Sequence, residues 1–179
     1  GKQASKKFAD SFSKSFKEAC WASINSFLKF TYSLSFIGQF KYAPGTTASL
    51  FTCIIFFYLN TYFQIEIIIL IFFVVFFISL LSIQNYLKLY GNKDHQSIVI
   101  DEFLGQYVAL FSIPLFELET NFENISMIFL LFRFFDISKV GLRRIEKIPG
   151  VFGILFDDII GGIYTISVIF LLFLWFGKI

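Results

Sequence analysis

Apolar residues form five long runs along the chain, and each run predicts a helix. The runs cover about 46–63, 65–87, 98–116, 124–137 and 157–176. They are continuous rather than alternating, which is typical of membrane helices and not of barrel strands. The second run is long enough to span a bilayer. The fourth is short for a full span, so we expect it to be tilted or partly interfacial.

The first 30 residues have a different pattern, which predicts an amphipathic helix on a membrane surface. Apolar residues recur there at spacings near 3.6, at Phe8, Phe12, Phe16, Ala19 and Ile24, with lysines between them. A basic helix with one apolar face is typical of segments that lie on an anionic bilayer. A frayed, solvated terminus is the alternative interpretation. We therefore divide the chain into an N-terminal segment, 1–40, and a helical membrane domain, 41–179.

Composition supports a membrane protein. Of 179 residues, 56% are hydrophobic and only 16% are charged, whereas about a quarter of a soluble protein is charged. The 28 phenylalanines and 3 prolines favour helices over a turn-rich barrel. The predicted fold class is all-α: a polytopic helical bundle with about five transmembrane or partly embedded helices. The small net charge of +2 gives no reason to predict a nucleic-acid partner.

Basic residues in the loops predict the orientation of this bundle. Seven lysines precede the first run, and the loops after the second and fourth runs carry two and four Lys or Arg. The loops of about 60–66 and 117–123 carry none. Lys and Arg in short loops favour the cytoplasmic side. Every loop base except Lys178 then lies on one side, which predicts a cytoplasmic N-terminus and an odd number of spans.

Acidic residues gather at the same predicted face, at the cytoplasmic ends of three runs. They are Asp101, Glu102, Asp136, Asp157 and Asp158. An ionisable group costs about 2.5–3.5 kcal/mol at the centre of a membrane helix, so each one suggests a functional site. Five carboxylates at one face need a counter-charge, and oxygen ligands of this kind suit Mg²⁺, which also bridges to phosphate. A network of interfacial salt bridges without catalysis is the alternative.

Groups that suit phosphate binding lie on the same face. Three bases follow the fourth run, namely Lys139, Arg143 and Arg144. Gly45 and Thr46 begin the first run, where free N–H groups and the positive helix end can receive an anion. An ordinary turn and helix cap is the other interpretation. Gly162, four residues after Asp158, is expected to permit close helix packing. This combination predicts phosphate chemistry on a lipid headgroup.

Four stretches of the sequence resemble, in order, the motifs of the phosphatidylglycerophosphatase A family. They are Ala43–Thr46 with Ser49 and Leu50, Asp94–Gln106, Phe132–Lys139, and Gly153–Asp158 with Gly162. They lie within about 43–164, so the first 30 residues are outside the resemblance. The resemblance implies an all-helical, Mg²⁺-dependent lipid phosphatase of the bacterial inner membrane. It implies conversion of phosphatidylglycerophosphate to phosphatidylglycerol and inorganic phosphate at the cytoplasmic face.

Roles for individual residues follow from this resemblance and from carboxylate chemistry. The candidate metal ligands are Asp101, Glu102, Asp136, Asp157 and Asp158; the candidate catalytic residues are Asp101, Glu102, Asp158 and His95; and the candidate phosphate ligands are Gly45, Thr46, Lys139, Arg143 and Arg144. Adjacent helix residues point about 100° apart, so we expect Asp101 and one of the Asp157/Asp158 pair to hold the metal. Their neighbours would bind a second ion or orient the helix ends. His95 is a candidate general acid or a capping residue. The nucleophile is a metal-activated water or a carboxylate.

Three other functions fit parts of the pattern. A phosphatase for another lipid phosphomonoester, such as phosphatidate, would use the same acids and bases. A transporter or channel would carry its charges near the bilayer midplane and show internal repeats, whereas these charges cluster at one face. A membrane scaffold would not need acids beside bases. The predicted partners are the membrane and a phospholipid of its cytoplasmic leaflet, and the oligomeric state is open.

Overall fold

A computed structural model of the chain describes residues 2–34, 37–39, 43–91, 98–139, 141 and 148–177. Within them the chain is helical and contains no strand, as predicted. The helices are α1 (Lys2–Tyr32), α2 (Pro44–Tyr62), α3 (Ile65–Tyr90), α4 (Ile100–Leu110), α5 (Ser112–Leu115), α6 (Phe122–Ser138) and α7 (Val151–Phe176), with a 3₁₀ turn at Ile37–Gln39. Four of the five apolar runs each lie on one helix, because hydrophobic patterning is a local signal.

The third predicted run, 98–116, forms two helices instead of one. α4 ends at Leu110, and α5 is a single turn that contains Pro114. A proline ring clashes with the carbonyl group four residues earlier, which here belongs to Leu110. At the end of α4, the N–H of Phe111 bonds to the carbonyl of Val108, three residues earlier, at 3.0 Å. A bond of this spacing tightens the last turn of the helix. The helix that carries the first pair of acids is therefore only 11 residues long.

The short α4 lies at the centre of the fold. Its residues from 103 to 110 are all buried, and it packs against α2, α3, α6 and α7. The hydroxyl of Tyr107 donates to the carbonyl of Ile68 in α3 at 3.1 Å. The Tyr107 ring meets Phe56 of α2 edge to face, with centroids 5.3 Å apart. These contacts hold α4 from several sides, so the acids at its start have a rigid base.

Two glycines allow α4 and α7 to approach each other closely. A Cβ atom at Gly105 would lie 2.6 Å from the carbonyl oxygen of Asp158, and one at Gly162 would lie 2.5 Å from that of Gly105. Gly162 also lies against Val108. The contact partner moves from Asp158 to Gly162 along α7 as it moves from Gly105 to Val108 along α4, so the two helices run parallel. The close packing predicted for Gly162 is thus confirmed, and it brings Asp158 next to the start of α4.

In the described part of the chain, two helices are long and apolar enough to cross a membrane: α3 and the Val151–Trp175 part of α7. α4 and α6 have 11 and 17 residues, fewer than the roughly 20 of a full span. Large apolar side chains point outward along both candidate spans, for example Leu70, Phe77 and Trp175. The helical class is therefore confirmed, whereas a bundle of about five membrane helices is not.

The N-terminal helix α1 forms as predicted and lies along α3. The Asn85 side-chain amide donates to Asn25 Oδ1 at 3.1 Å, and the Ser82 hydroxyl donates to the carbonyl of Leu28 at 2.6 Å. Apolar side chains such as Trp21 remain exposed on α1. Its contact with a membrane surface, and the division of the chain near residue 40, stay predictions.

Candidate metal and phosphate site

Three carboxylates from two helices meet at the start of α4. Asp101, Glu102 and Asp158 each offer one oxygen atom, and these three atoms lie within 4.8 Å of one another. Asp101 and Glu102 are in the first turn of α4, and Asp158 is in the second turn of α7. We call these three residues the carboxylate triad. Its oxygen atoms suit a hard divalent cation such as Mg²⁺.

The surroundings of Glu102 fit the same kind of cation. Its Oε2 atom is buried and has no hydrogen-bond partner among the described residues. Its backbone N–H donates to Asp101 Oδ1 at 3.1 Å. A buried carboxylate oxygen without a donor is costly unless a cation compensates it. The orphaned oxygen and the all-oxygen donor set therefore fit Mg²⁺.

The structure brings together one acid of the Asp157/Asp158 pair, as expected from the sequence, but both acids of the Asp101/Glu102 pair. We expected only one of Asp101 and Glu102 to face a small site, because adjacent helix residues diverge by about 100°. Both contribute an oxygen to the triad, because flexible side chains extend from the diverging positions and converge at their ends. Of Asp157 and Asp158, only the second belongs to the triad.

The other two candidate ligands, Asp136 and Asp157, are in ion pairs. Lys139 Nζ lies 2.5 Å from Asp157 Oδ2, 3.8 Å from Asp158 Oδ1 and 3.9 Å from Asp136 Oδ1. Arg133 also pairs with Asp136 through its Nη1 atom. These ion pairs form a network that touches the triad at Asp158. The sequence suggested a metal site and a salt-bridge network as alternatives. In the structure the carboxylate triad and a salt-bridge network lie side by side.

Lys139 is held in place from two directions. Its backbone has a positive φ of 48° where α6 ends, and its N–H bonds to the carbonyl of Phe135 at 2.9 Å. Burial lowers the pKa of its ammonium group, but the negative charges of Asp158, Asp157 and Asp136 outweigh burial, and the pKa lies above its ordinary value. The ammonium group is therefore a permanent positive charge beside the triad.

Arg133 belongs to this site, although it is not among the candidate residues predicted from the sequence. One of its terminal nitrogens donates to Asp136, while its Nε is buried and has no partner in the part of the chain described. A count of loop bases overlooks it because it lies within the fourth apolar run. The signal that identifies it is its position, since an arginine inside an apolar helix is costly and suggests function.

The start of α2 borders the triad. Gly45 is buried, and a Cβ atom there would lie 2.9 Å from Cδ of Glu102. Ala43 precedes the helix with a φ of 45°, and the N–H of Thr47 bonds back to its carbonyl at 3.2 Å. The N–H groups of the first helical turn are intrinsically unpaired and form the positive end of the helix. Gly45 therefore lies beside Glu102, and Thr46 follows it in the first turn of α2; their role in phosphate binding stays a prediction.

Three candidate residues lie outside the described residues. His95 is in the segment 92–97, and Arg143 and Arg144 are in the segment 142–147. Their roles as general acid and phosphate ligands stay predictions.

Comparisons with known proteins identify a family and several relatives. Residues 30–173 match the family described as phosphatidylglycerophosphatase A. A Haemophilus influenzae protein of that name is 35% identical over 135 residues, which are 74% of this chain and 80% of the relative. An Escherichia coli protein of the same name is 30% identical over 129 residues, 71% and 72% of the two chains. A Bacteroides thetaiotaomicron protein with the provisional name phosphatidylinositol-3-phosphatase is 30% identical over 151 residues, 80% and 92%.

No solved structure matches the chain significantly. The family match nevertheless covers most of the sequence, from the end of α1 to within a few residues of the end of α7. It includes every described residue of the carboxylate triad and of the ion-pair network. The two relatives named phosphatidylglycerophosphatase carry the name of a phosphoric monoester hydrolase. The resemblance of the four sequence motifs is thus confirmed, and the chain belongs to the phosphatidylglycerophosphatase A family.

Proposed function

We propose that this protein is a Mg²⁺-dependent phosphatase that converts phosphatidylglycerophosphate to phosphatidylglycerol and inorganic phosphate. The observation that carries the proposal is the carboxylate triad next to two partly buried bases, Lys139 and Arg133. Oxygen ligands for a cation and donors for phosphate are the two requirements of metal-assisted phosphate ester hydrolysis. Membership of the family supports the choice of substrate.

In this proposal Asp101, Glu102 and Asp158 would hold Mg²⁺. A bound Mg²⁺ would neutralise charge on the phosphate and supply an activated water molecule. Asp136 and Asp157 have a different task, because each is already paired with a base. They orient the two bases beside the triad.

The phosphate would be bound by donors that remain available. Arg133 keeps a buried Nε–H without a partner among the described residues, and a guanidinium group binds phosphate oxygens in a fixed plane. The ammonium of Lys139 and the first N–H groups of α2, at Gly45 and Thr46, add positive potential. Donors that are already in place stabilise the charge that spreads over the phosphoryl oxygens during transfer.

We also propose a location in the bacterial inner membrane with the site at the cytoplasmic leaflet. The two candidate spans and their outward-facing apolar side chains support insertion. The bases that follow the second and fourth apolar runs of the sequence support a cytoplasmic site. The acyl chains would then stay in the leaflet, and only the headgroup would reach the acids. Helices α2, α4 and α6 would lie partly embedded beside the two spans.

Phosphate release by the purified full-length protein in mixed micelles tests the proposal. We expect release from phosphatidylglycerophosphate that requires Mg²⁺ and is lost in Asp101→Asn and Asp158→Asn. Glu66→Gln is the control, because Glu66 lies in the first turn of α3, outside the triad. Full activity in both triad variants, or in excess chelator, would contradict the metal mechanism.

A second candidate substrate is a different lipid phosphomonoester. The provisional name of the Bacteroides relative, phosphatidylinositol-3-phosphatase, favours this candidate. Comparison of kcat/KM for phosphatidylglycerophosphate, phosphatidylinositol 3-phosphate, phosphatidate and glycerol 3-phosphate decides between them. A higher value for either of the other two lipids would overturn the proposed substrate and leave the proposed chemistry intact.

A further inference from the structure

A second set of polar groups lies between α2 and α4, and the chemistry described above does not use it. Ser49 of α2 and Gln106 of α4 are both 0% exposed. The Ser49 hydroxyl and both polar atoms of the Gln106 amide have no hydrogen-bond partner in the described part of the chain. Buried polar groups of proteins are nearly always paired with protein, water or ligand. These atoms therefore indicate a place where a further polar group binds.

Contacts on either side fix the level of these two side chains. At the start of both helices, Gly45 of α2 lies against Glu102 of α4. Ser49 follows Gly45 by four residues, and Gln106 follows Glu102 by four residues, so each lies about one turn further along its helix. Deeper in the fold, the ring of Phe56 packs against α4 again. Ser49 and Gln106 therefore lie at corresponding levels of two packed helices, about one turn further along than Gly45 and Glu102.

The donors and acceptors at this level suit a neutral hydroxyl group. An amide and a hydroxyl each offer both a donor and an acceptor. An anion would be repelled by the nearby carboxylate of Glu102, and a bare cation offers no acceptor for the amide N–H groups of Gln106. A hydroxyl group both donates and accepts, so it can pair with all of these atoms.

The proposed substrate carries such a group close to the reacting phosphate. In phosphatidylglycerophosphate, a glycerol unit joins the terminal phosphate to the lipid phosphodiester. Its one free hydroxyl is on the carbon next to the one that bears the terminal phosphate ester. With that phosphate at the triad and Arg133, the hydroxyl is one carbon away from the ester, within reach of groups about one helical turn from the triad.

We infer that Ser49 and Gln106 form a subsite for the free hydroxyl of the headgroup glycerol, and that this subsite selects phosphatidylglycerophosphate over lipid phosphates without a hydroxyl there. The inference rests on the proposed function and adds the basis of its substrate selectivity. A trapped structural water that serves only packing is the competing occupant.

Two substrates that differ in one atom test the inference. The first is phosphatidylglycerophosphate, and the second is the same lipid with propane-1,3-diol in place of glycerol, which lacks only the free hydroxyl. The measured quantity is the ratio of kcat/KM for the two substrates. The variants are Gln106→Met, Gln106→Asn and Ser49→Ala. The control is Thr52→Val, because Thr52 is equally buried on α2 but its hydroxyl is already bonded to the carbonyl of Ala48 at 2.8 Å.

We expect the unmodified protein to prefer the hydroxylated lipid by about tenfold or more, because a site built to bond a hydroxyl group rejects an analogue without it. Gln106→Met should bring the ratio close to one, and Ser49→Ala should lower it several-fold. Gln106→Asn should lie between the unmodified protein and Gln106→Met, and Thr52→Val should keep the original ratio. Ser49→Ala and Gln106→Asn keep the test decisive if Gln106→Met does not fold.

Two results would overturn the inference. One is a ratio near one in the unmodified protein. The other is an equal loss of kcat/KM for both lipids in the Gln106 and Ser49 variants, which is what a packing water or a role in orienting Glu102 would produce. Absence of phosphate release from phosphatidylglycerophosphate by the unmodified protein would instead contradict the proposed function itself.

Discussion

The carbonyl oxygen of Asp158 lies against Gly105 so closely that a Cβ atom at position 105 would be only 2.6 Å from it. This contact joins the turn of α7 that carries Asp158 to the helix that carries Asp101 and Glu102. The spacing of the carboxylate triad therefore depends on the absence of a side chain at Gly105, and at Gly162 on the facing helix.

Alanine at Gly105 or at Gly162 is expected to separate α4 from α7. In both cases the atom that the new methyl group meets is a backbone oxygen, which cannot move aside. Overpacking of this kind costs about 1–3 kcal/mol of stability. It should also lower activity at least about tenfold, because the triad loses its geometry. Thermal unfolding in detergent and phosphate release measure the two effects.

Ile163→Ala is the matched control for these glycine variants, because Ile163 is next to Gly162 but 47% exposed. It should keep both stability and activity close to those of the unmodified protein. Unchanged metal-dependent activity in Gly105→Ala would show that the helix contact does not set the geometry of the triad.

Mg²⁺ is expected to stabilise the folded protein, and Asp158→Asn should remove most of this effect. A cation that binds only the native state at 100 times its Kd adds about 2.7 kcal/mol of stability. The variant loses one of three oxygen ligands and one negative charge. The rise in unfolding temperature with Mg²⁺ concentration is the measurement, and it needs no substrate. An equal rise in Asp158→Asn and in Glu66→Gln would place the cation elsewhere.

Lys139→Met is expected to lower kcat about 10–100-fold, because it leaves the carboxylates of Asp157 and Asp158 without their counter-charge. Loss of a group that orients metal ligands typically lowers activity by this factor. Lys139→Arg restores the charge and should recover part of the activity. Rates for the three proteins at saturating Mg²⁺ provide the test. Equal kcat values for Lys139→Met and Lys139→Arg would show that charge at this position is unimportant.

Lys139 should not contribute to the pH dependence of activity between pH 6 and 9. Its pKa is raised in the folded protein, so its contribution to stability is complete below the unfolded pKa of about 10.4 and is lost only as the pH rises through the higher folded pKa. The alkaline limb of the kcat profile should therefore lie at the same pH in the unmodified protein and in Lys139→Arg. A displaced limb below pH 9 would contradict this assignment.

Arg133→Lys is expected to weaken phosphate binding although it keeps the charge. A lysine can replace the contact with Asp136 but not the separate Nε–H that has no described partner. We expect kcat/KM to fall about 10–100-fold and product inhibition by inorganic phosphate to weaken by a similar factor. Unchanged phosphate inhibition would show that the free N–H does not reach the substrate.

Much of the fold was predictable because hydrophobic patterning and helix-end signals are local. α2, α3 and α6 begin and end within about three residues of their apolar runs, and α1 covers the predicted amphipathic segment. The third run was wrong as a single helix, since the effect of Pro114 on the carbonyl of Leu110 ends α4 early. The number of membrane spans was harder to predict from the sequence. The hydrophobic pattern gives the length of each apolar run, but not whether the helix faces lipid or packs against neighbouring helices.

The sequence by itself determined which residue types the site contains and at which helix ends they lie, because both follow from order along the chain. Only the tertiary structure decided how the acids are divided between the triad, with Asp101, Glu102 and Asp158, and the ion pairs of Asp136 and Asp157. That division depends on how the packed helices are rotated and how far apart they lie. Contacts between a glycine and the backbone of a distant helix determine both, and the spacing of residues along one helix does not contain this information.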